Sequence, residues 1–139
     1  MEIKDYIARI REIGRKRDEL LSEERVLAKA ELTDFSRFGE VCGYCREAYA
    51  ELHPHKTRRR DVCRQIVFVV VYLYSPASLS GKKMIRGLRD LLAKEFNSTP
   101  ANISYYVRDI MFFYNHYANF RGDIDYIFAR VMQRLKENQ

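Results

Sequence analysis

Helix-breaking residues are scarce in this chain and stand far apart. Its 139 residues include six glycines and three prolines, which is about half of average usage. A small β-sandwich or barrel needs turn residues at intervals of about ten positions, so such folds are disfavoured. Proline interrupts a helix because it lacks the N–H group and clashes with the preceding turn. Pro54, Pro76 and Pro100 are therefore predicted to separate helices, and Gly122 to mark a fourth break.

Between these breaks, apolar residues recur at steps of three and four, which is typical of amphipathic helices. This spacing predicts helices over residues 2–31, 35–52, 58–74 and 80–96. Ser98 or Thr99 is placed to cap a further helix with Pro100 at its first position, and Asp123 is predicted to open a last one. The sequence thus predicts an all-α fold of about six helices with a long N-terminal helix.

Two segments leave alternatives open. The run IVFVVVYLY, residues 66–74, would suit a buried strand by propensity alone, but its entrance has helical spacing and we predict a buried helix. Residues 1–34 are predicted to form a separate amphipathic unit. Its heptad-like seam, which Arg17 and Glu24 interrupt, either pairs with a second copy or packs on its own domain. The seam comprises Ile3, Tyr6, Ile10, Ile13, Leu20 and Leu27.

The first 20 residues are charged throughout and have no apolar core of a secretory signal. The longest apolar run, Ile66 to Leu73, is much shorter than the roughly 18 residues that a membrane-spanning helix needs. The chain has three cysteines, an odd number that cannot all pair in disulfides, and with no export signal this indicates reduced thiols. We therefore expect a cytoplasmic protein with no membrane partner.

Cys42 and Cys45 have the C-x-x-C spacing of redox and metal sites. Both fall inside a predicted helical apolar stripe, so we interpret them as buried structural thiols. A zinc site completed by His53, His55 or Cys63 is the alternative. No phosphate loop, catalytic triad or pair of carboxylates is evident, so we expect neither an enzyme nor a bound cofactor or metal.

The positive charge is concentrated in the second part of the chain. Residues 1–57 hold 11 Lys and Arg against 12 Asp and Glu, a net −1, whereas residues 58–139 hold 14 against 7, a net +7. Arg58, Arg59 and Arg60 stand at a predicted helix N-terminus, where the helix dipole disfavours cations. Such a cluster suits an external anion, of which a phosphodiester backbone is the commonest. A solvated basic turn is the alternative.

Residues 80–117 have the layout of a helix-turn-helix: a helix, a short capped turn and a second helix. In such pairs the second helix enters the major groove by its N-terminal residues. With Ile103, Val107 and Ile110 directed inward, four residues are left to face outward: Ala101, Asn102, Tyr105 and Arg108. Asn can read adenine, and Arg can read guanine or hold a phosphate.

Residues 36–136 resemble the DNA-binding domain of the bacterial replication initiator DnaA, which belongs to the Trp-repressor-like helix-turn-helix group. The shared pattern comprises Arg60, Cys63, Arg64, Gln65, Ile66, Tyr72, Leu73, Leu88, Leu92, Phe96, Val107, Arg108, Asp109, Ile110, Asp125, Phe128, Val131 and Leu135. The family's Arg-Asp-His-Thr-Thr-Val run is replaced here by residues 98–103, none of the family's base-reading residues is retained, and no ATPase part is present. The resemblance implies a stand-alone DNA-binding module with backbone contacts at Arg60 and Arg64.

These observations predict a double-stranded DNA-binding domain over residues 35–139, in a small regulator or replication accessory factor of a phage or mobile element. The predicted phosphate contacts are Arg58, Arg59, Arg60, Arg64, Lys82 and Lys83. The predicted base contacts are Asn102, Tyr105 and Arg108, positioned by Thr99. The alternative is a protein-interaction module on the same scaffold, which the aromatic run favours. That run comprises Phe112, Phe113, Tyr114, Tyr117 and Phe120.

Overall fold

The computed structural model describes residues 2–55 and 58–138, and this part of the chain is helical with no strand. The helices are α1 (Ile3–Leu27), α2 (Phe38–Leu52), α3 (Arg59–Tyr74), α4 (Leu88–Glu95), α5 (Pro100–His116) and α6 (Ala118–Glu137). Two 3₁₀ helices, Phe35–Arg37 and Pro76–Ser80, precede α2 and follow α3. The prediction of an all-α fold with about six helices is confirmed, and residues 66–74 are helix, not strand. In the ranges described, none of the helices is both long and apolar enough to cross a bilayer.

The core is built around α3, which is buried on nearly all sides from Cys63 to Tyr74. A helix that is apolar all round must be enclosed by others, and α2, α5 and α6 enclose this one. Helix α4 packs on α5 at the periphery. The uniform apolar character of the second half of α3 therefore sets the architecture, since every neighbouring helix contributes one apolar face to it.

Helix α1 lies outside this core. The long N-terminal helix is present as predicted, but none of its 25 residues is buried. Glu24, near the end of α1, forms an ion pair with Lys82 of the body. In the segment that follows α1, the backbone N–H of Leu32 donates to the carbonyl oxygen of Leu73 at 3.0 Å. The apolar seam of α1 is thus exposed over its length.

The helix predicted over residues 80–96 is much shorter than its periodicity indicates. Helix α4 begins only at Leu88, because Gly81 and Gly87 adopt left-handed φ angles of 96° and 93° that a continuous helix excludes. The intervening residues form a loop, which Ser75 anchors by accepting a hydrogen bond from the N–H of Ile85 at 3.1 Å.

The predicted break at Gly122 is also wrong, because α6 begins at Ala118 and continues through Gly122 and Asp123. The chain turns instead at Tyr117, whose backbone is extended (φ −118°, ψ 108°). Arg121 stabilises this turn by donating to the carbonyl oxygen of Tyr114, at the end of α5, at 2.8 Å. Asp123 does not cap a helix.

Candidate nucleic-acid interface

Helices α4 and α5 form a tight corner joined by residues 96–99. Asn97, with φ of 50°, ends α4 in the left-handed conformation that asparagine tolerates. Thr99 then caps α5: its hydroxyl oxygen accepts a hydrogen bond from the N–H of Asn102 at 3.2 Å, and Pro100 occupies the first helical position. The predicted Thr99 cap and the start of the second helix are confirmed.

The first three turns of α5 present the outward face that the sequence predicts. Ile103 and Ile110 are fully buried and Val107 is half-buried. The predicted outward residues are all exposed: Ala101, Asn102, Tyr105 and Arg108. The amide group of Asn102 donates to the hydroxyl of Ser98 at 3.2 Å, and the guanidinium of Arg108 lies 4.6 Å from the centre of the Tyr105 ring. These contacts are weak and exposed, so both side chains can reorient towards a ligand.

The three predicted arginines at the start of α3 have different environments. Arg59 donates a hydrogen bond to the carbonyl oxygen of Phe96 at 2.7 Å, so it is tied to the turn that precedes α5. Arg58 and Arg60 are exposed, and neither forms an ion pair with any residue in the ranges 2–55 and 58–138. Their charges therefore remain available to an external anion.

Arg64 is placed differently from the rest of the predicted phosphate contacts. Its guanidinium lies 4.5 Å from the centre of the Phe113 ring on α5, and its Nε is buried without a hydrogen-bond partner among the described residues. A guanidinium over an aromatic face is stabilised by the ring quadrupole. Arg64 therefore joins α3 to α5.

A basic groove of 530 Å³ runs between the loop before α4 and the outer side of α5. Its cationic side chains are Lys82, Lys83, Arg86 and Arg89, and Asp90 is the acidic one. Arg89 reaches the hydroxyl of Ser104 on α5 at 3.4 Å, whereas Lys82 is engaged by Glu24. Arg86 and Arg89 are not among the predicted contacts, although both continue the basic run that begins at Lys82.

The three cysteines are buried in the core. Burial raises the pKa of Cys42 to about 12, and it raises the pKa values of Cys45 and Cys63 as well. Protonated thiols are poor nucleophiles and poor metal ligands, which agrees with the structural interpretation. His53 is turned towards Asp123, with 2.8 Å between Nε2 and Oδ2. Across the described ranges, no three His, Cys, Asp or Glu side chains gather into a metal-ligand set.

The aromatic run at the end of α5 is divided between core and surface. Tyr114 stacks on the buried ring of Phe68, with 4.9 Å between ring centres, and Phe120 packs edge-on against the same ring. Phe112 and Tyr117 remain 53% and 49% exposed. The exposed pair forms a small apolar patch that is separate from the basic groove residues.

Comparison with protein-family models, with curated proteins and with solved structures finds no match for this chain.

Proposed function

We propose that this protein binds double-stranded DNA as a helix-turn-helix module, with α4 as the supporting helix and α5 as the recognition helix. The observation that carries the proposal is the exposed face of α5, where Asn102, Tyr105 and Arg108 project outward. Basic side chains are anchored next to it at two points, Arg59 at the preceding turn and Arg89 at Ser104. An exposed readout face with adjacent cations is what groove binding requires.

The proposed contacts divide by chemistry. Arg58, Arg60, Lys83 and Arg86 are exposed cations and suit the phosphate backbone, which fixes orientation without reading sequence. Asn102 and Arg108 suit adenine and guanine edges in the major groove. Arg59, Arg64 and Lys82 have protein partners, so we assign them structural roles: Arg59 holds the corner, Arg64 joins α3 to α5 and Lys82 contacts α1.

This assignment fits the resemblance to the DnaA DNA-binding domain at Arg60, where the family has a backbone contact, and departs from it at Arg64, which lies over the ring of Phe113. On this proposal the protein is non-catalytic and acts as a small regulator or replication accessory factor of a phage or mobile element. A second copy or another protein would contact α1, whose apolar seam is exposed.

The test is fluorescence anisotropy of a labelled random-sequence duplex at several salt concentrations. Four phosphate contacts predict a slope of log K against log salt of about −3.6. Affinity should therefore fall about a hundredfold between roughly 50 and roughly 200 mM salt. Binding that is absent at low salt, or indifferent to salt, would contradict the proposal.

A pair of matched variants distinguishes DNA binding at a defined site from binding that depends only on the net charge of the protein. The two double variants are Arg58→Glu/Arg60→Glu and Arg11→Glu/Lys136→Glu. Each changes the formal charge by −4, since two cations become two anions. Arg11 and Lys136 are exposed and lie on α1 and α6. The first variant should lose most of the affinity and the second should retain it. Equal losses would show that binding follows net charge alone.

The second candidate function is a protein-interaction module, which the exposed pair Phe112 and Tyr117 favours. Phe112→Ser/Tyr117→Ser should leave DNA binding unchanged under the first proposal. Charge reversal at Arg58 and Arg60 should spare the interaction with a partner protein under the second.

A further inference from the structure

The exposed apolar stripe of α1 is wider than the heptad seam of a and d residues. Written as a heptad, positions a and d hold Ile3, Tyr6, Ile10, Ile13, Leu20 and Leu27, and position e adds Ile7 and Leu21. These eight side chains are 41–82% exposed, and no residue of α1 is buried. A helix face of this length and hydrophobicity is typical of helix pairing.

We propose that α1 pairs with α1 of a second copy in an antiparallel orientation, in the register that places residue 15 of one helix opposite residue 15 of the other. Residues whose numbers add up to 30 then share a core layer, because a packs against d in an antiparallel pair. The layers are Ile3 with Leu27, Tyr6 with Glu24, Ile10 with Leu20 and Ile13 with Arg17. The pairing does not depend on DNA binding.

The two charged a positions decide the orientation. A parallel pair in register would place Arg17 against Arg17 and Glu24 against Glu24, and like charges in one core layer repel. The antiparallel register places them in different layers, because Arg17 meets Ile13 and Glu24 meets Tyr6. Tyrosine carries a hydroxyl donor that a carboxylate accepts, and Glu24 is also neutralised by Lys82 of its own chain.

The flanking positions favour the same arrangement. Position g holds Arg9, Lys16 and Glu23, and the antiparallel register pairs Arg9 with Glu23 twice. Lys16 meets its own copy at the centre, where Glu12 of the same chain already lies 3.5 Å from its ammonium group. In a parallel pair Arg9 and Glu23 would instead face Gly14 and Ala28 at position e, which offer no charge.

The register follows from coverage of the apolar residues. A shift of one heptad that pairs Ile10 with Leu27 would leave Ile3 and Tyr6 uncovered and would set Ile7 against the small side chain of Ala28. The chosen register covers all of them and brings Ile7 against Leu21. It also places Gly14 opposite Gly14, where the missing side chains permit close approach; the nearest atom to a Cβ added there is Nη2 of Arg17, at 3.8 Å.

The test is sedimentation velocity of the full chain over a range of concentrations, without DNA. The unmodified protein should form dimers. Arg9→Glu and Glu23→Arg should each weaken the dimer about tenfold, because each turns two attractive pairs into repulsive ones. The combined variant Arg9→Glu/Glu23→Arg should restore the dimer to within about threefold, since the pairs are re-formed with reversed sign. Arg11→Glu, at the outward position b, is the control and should have no effect.

Several outcomes would overturn the inference: a monomer at all concentrations, an assembly larger than a dimer, or a combined variant as weak as the single ones. Ile10→Asp provides a second measurement. It should weaken the dimer by at least about a hundredfold, because both copies lose a core side chain, while circular dichroism shows a folded body. A dimer that persists in this variant would also contradict the pairing. Because no DNA is present, these results are separate from those of the DNA-binding experiment.

Discussion

The guanidinium of Arg59 donates a hydrogen bond to the backbone carbonyl oxygen of Phe96, with 2.7 Å between Nη2 and the oxygen. The bond joins the first residue of α3 to the residue after α4, and thereby holds the turn that leads into α5. Its neighbours Arg58 and Arg60 extend into solvent from the same helix start. One arginine of the cluster thus supports the fold, and two are left for an external partner.

Replacing Arg59 with Ala should therefore lower the free energy of unfolding by about 1 kcal/mol, because the carbonyl of Phe96 loses a charged donor. Arg58→Ala and Arg60→Ala should each change it by less than about 0.5 kcal/mol, as exposed side chains without partners do. Urea titration followed by circular dichroism measures all three. Equal destabilisation by the three substitutions would refute this division of roles.

Substitution by alanine should change the stability of the protein in opposite directions at two glycines. Gly87 has φ of 93°, and a Cβ there would lie 3.3 Å from Cε2 of Phe35, so Gly87→Ala should destabilise the protein by about 1–2 kcal/mol. Gly122 lies inside α6, and a Cβ there would meet no atom within 4 Å. Gly122→Ala should stabilise by about 0.5–1 kcal/mol. The two melting temperatures, measured side by side, should move in opposite directions, and a shift in the same direction would refute the assignment.

Cys42 should make the protein less stable at alkaline pH. Burial raises the pKa of this thiol from 9.0 to about 12, so above pH 9 the unfolded chain releases a proton that the folded chain keeps. The associated stability is fully present below pH 9 and is lost as the pH rises towards 12. Between pH 7 and pH 10 the unmodified protein should lose about 1 kcal/mol more than Cys42→Ala. Urea titrations at both pH values measure this difference, and parallel losses in the two proteins would argue against it.

Arg108→Ala and Lys83→Ala should affect DNA binding in different ways. Arg108 lies on the outward face of α5, so its loss should reduce discrimination between duplexes by about 1–3 kcal/mol at one base position. Lys83 lies in the basic groove, so its loss should weaken binding to all sequences alike and lower the salt slope by about one. Competition binding with a panel of duplexes distinguishes the two patterns. Identical patterns in the two variants would contradict the assignment of base reading to Arg108 and of phosphate contact to Lys83.

The helices that the sequence predicts well are those whose signals are local. Thr99 and Pro100 carry both the cap and the first turn of α5 within four residues, and the structure places them as predicted. The run 66–74 is also predicted as helix, because the residues that lead into it have helical spacing. In both cases the information lies within one or two turns of the helix concerned.

The errors arise where contacts between residues far apart in the sequence determine the helix boundaries and the side-chain partners. Gly122 continues a helix because the turn is made five residues earlier, at Tyr117, and is stabilised by Arg121. Met84 and Ile85 continue an apolar period, yet Gly81 and Gly87 form a loop that Ser75 anchors. The partners of Arg59 and Arg64 lie 37 and 49 residues away along the chain, at Phe96 and Phe113. No pattern of spacing could reveal those contacts.

The length of α1 has a consequence for the kind of DNA site the protein would choose. Its 25 residues rise about 1.5 Å each, so in the proposed pair the two Leu27 residues, after which the bodies follow, lie about 36 Å apart. One turn of B-form DNA measures 34–36 Å. The length of α1 would then separate the starts of the two bodies by about one turn of the duplex, the spacing at which two half-sites face the same side. Adding seven residues to α1 would lengthen the preferred spacing between half-sites by about three base pairs.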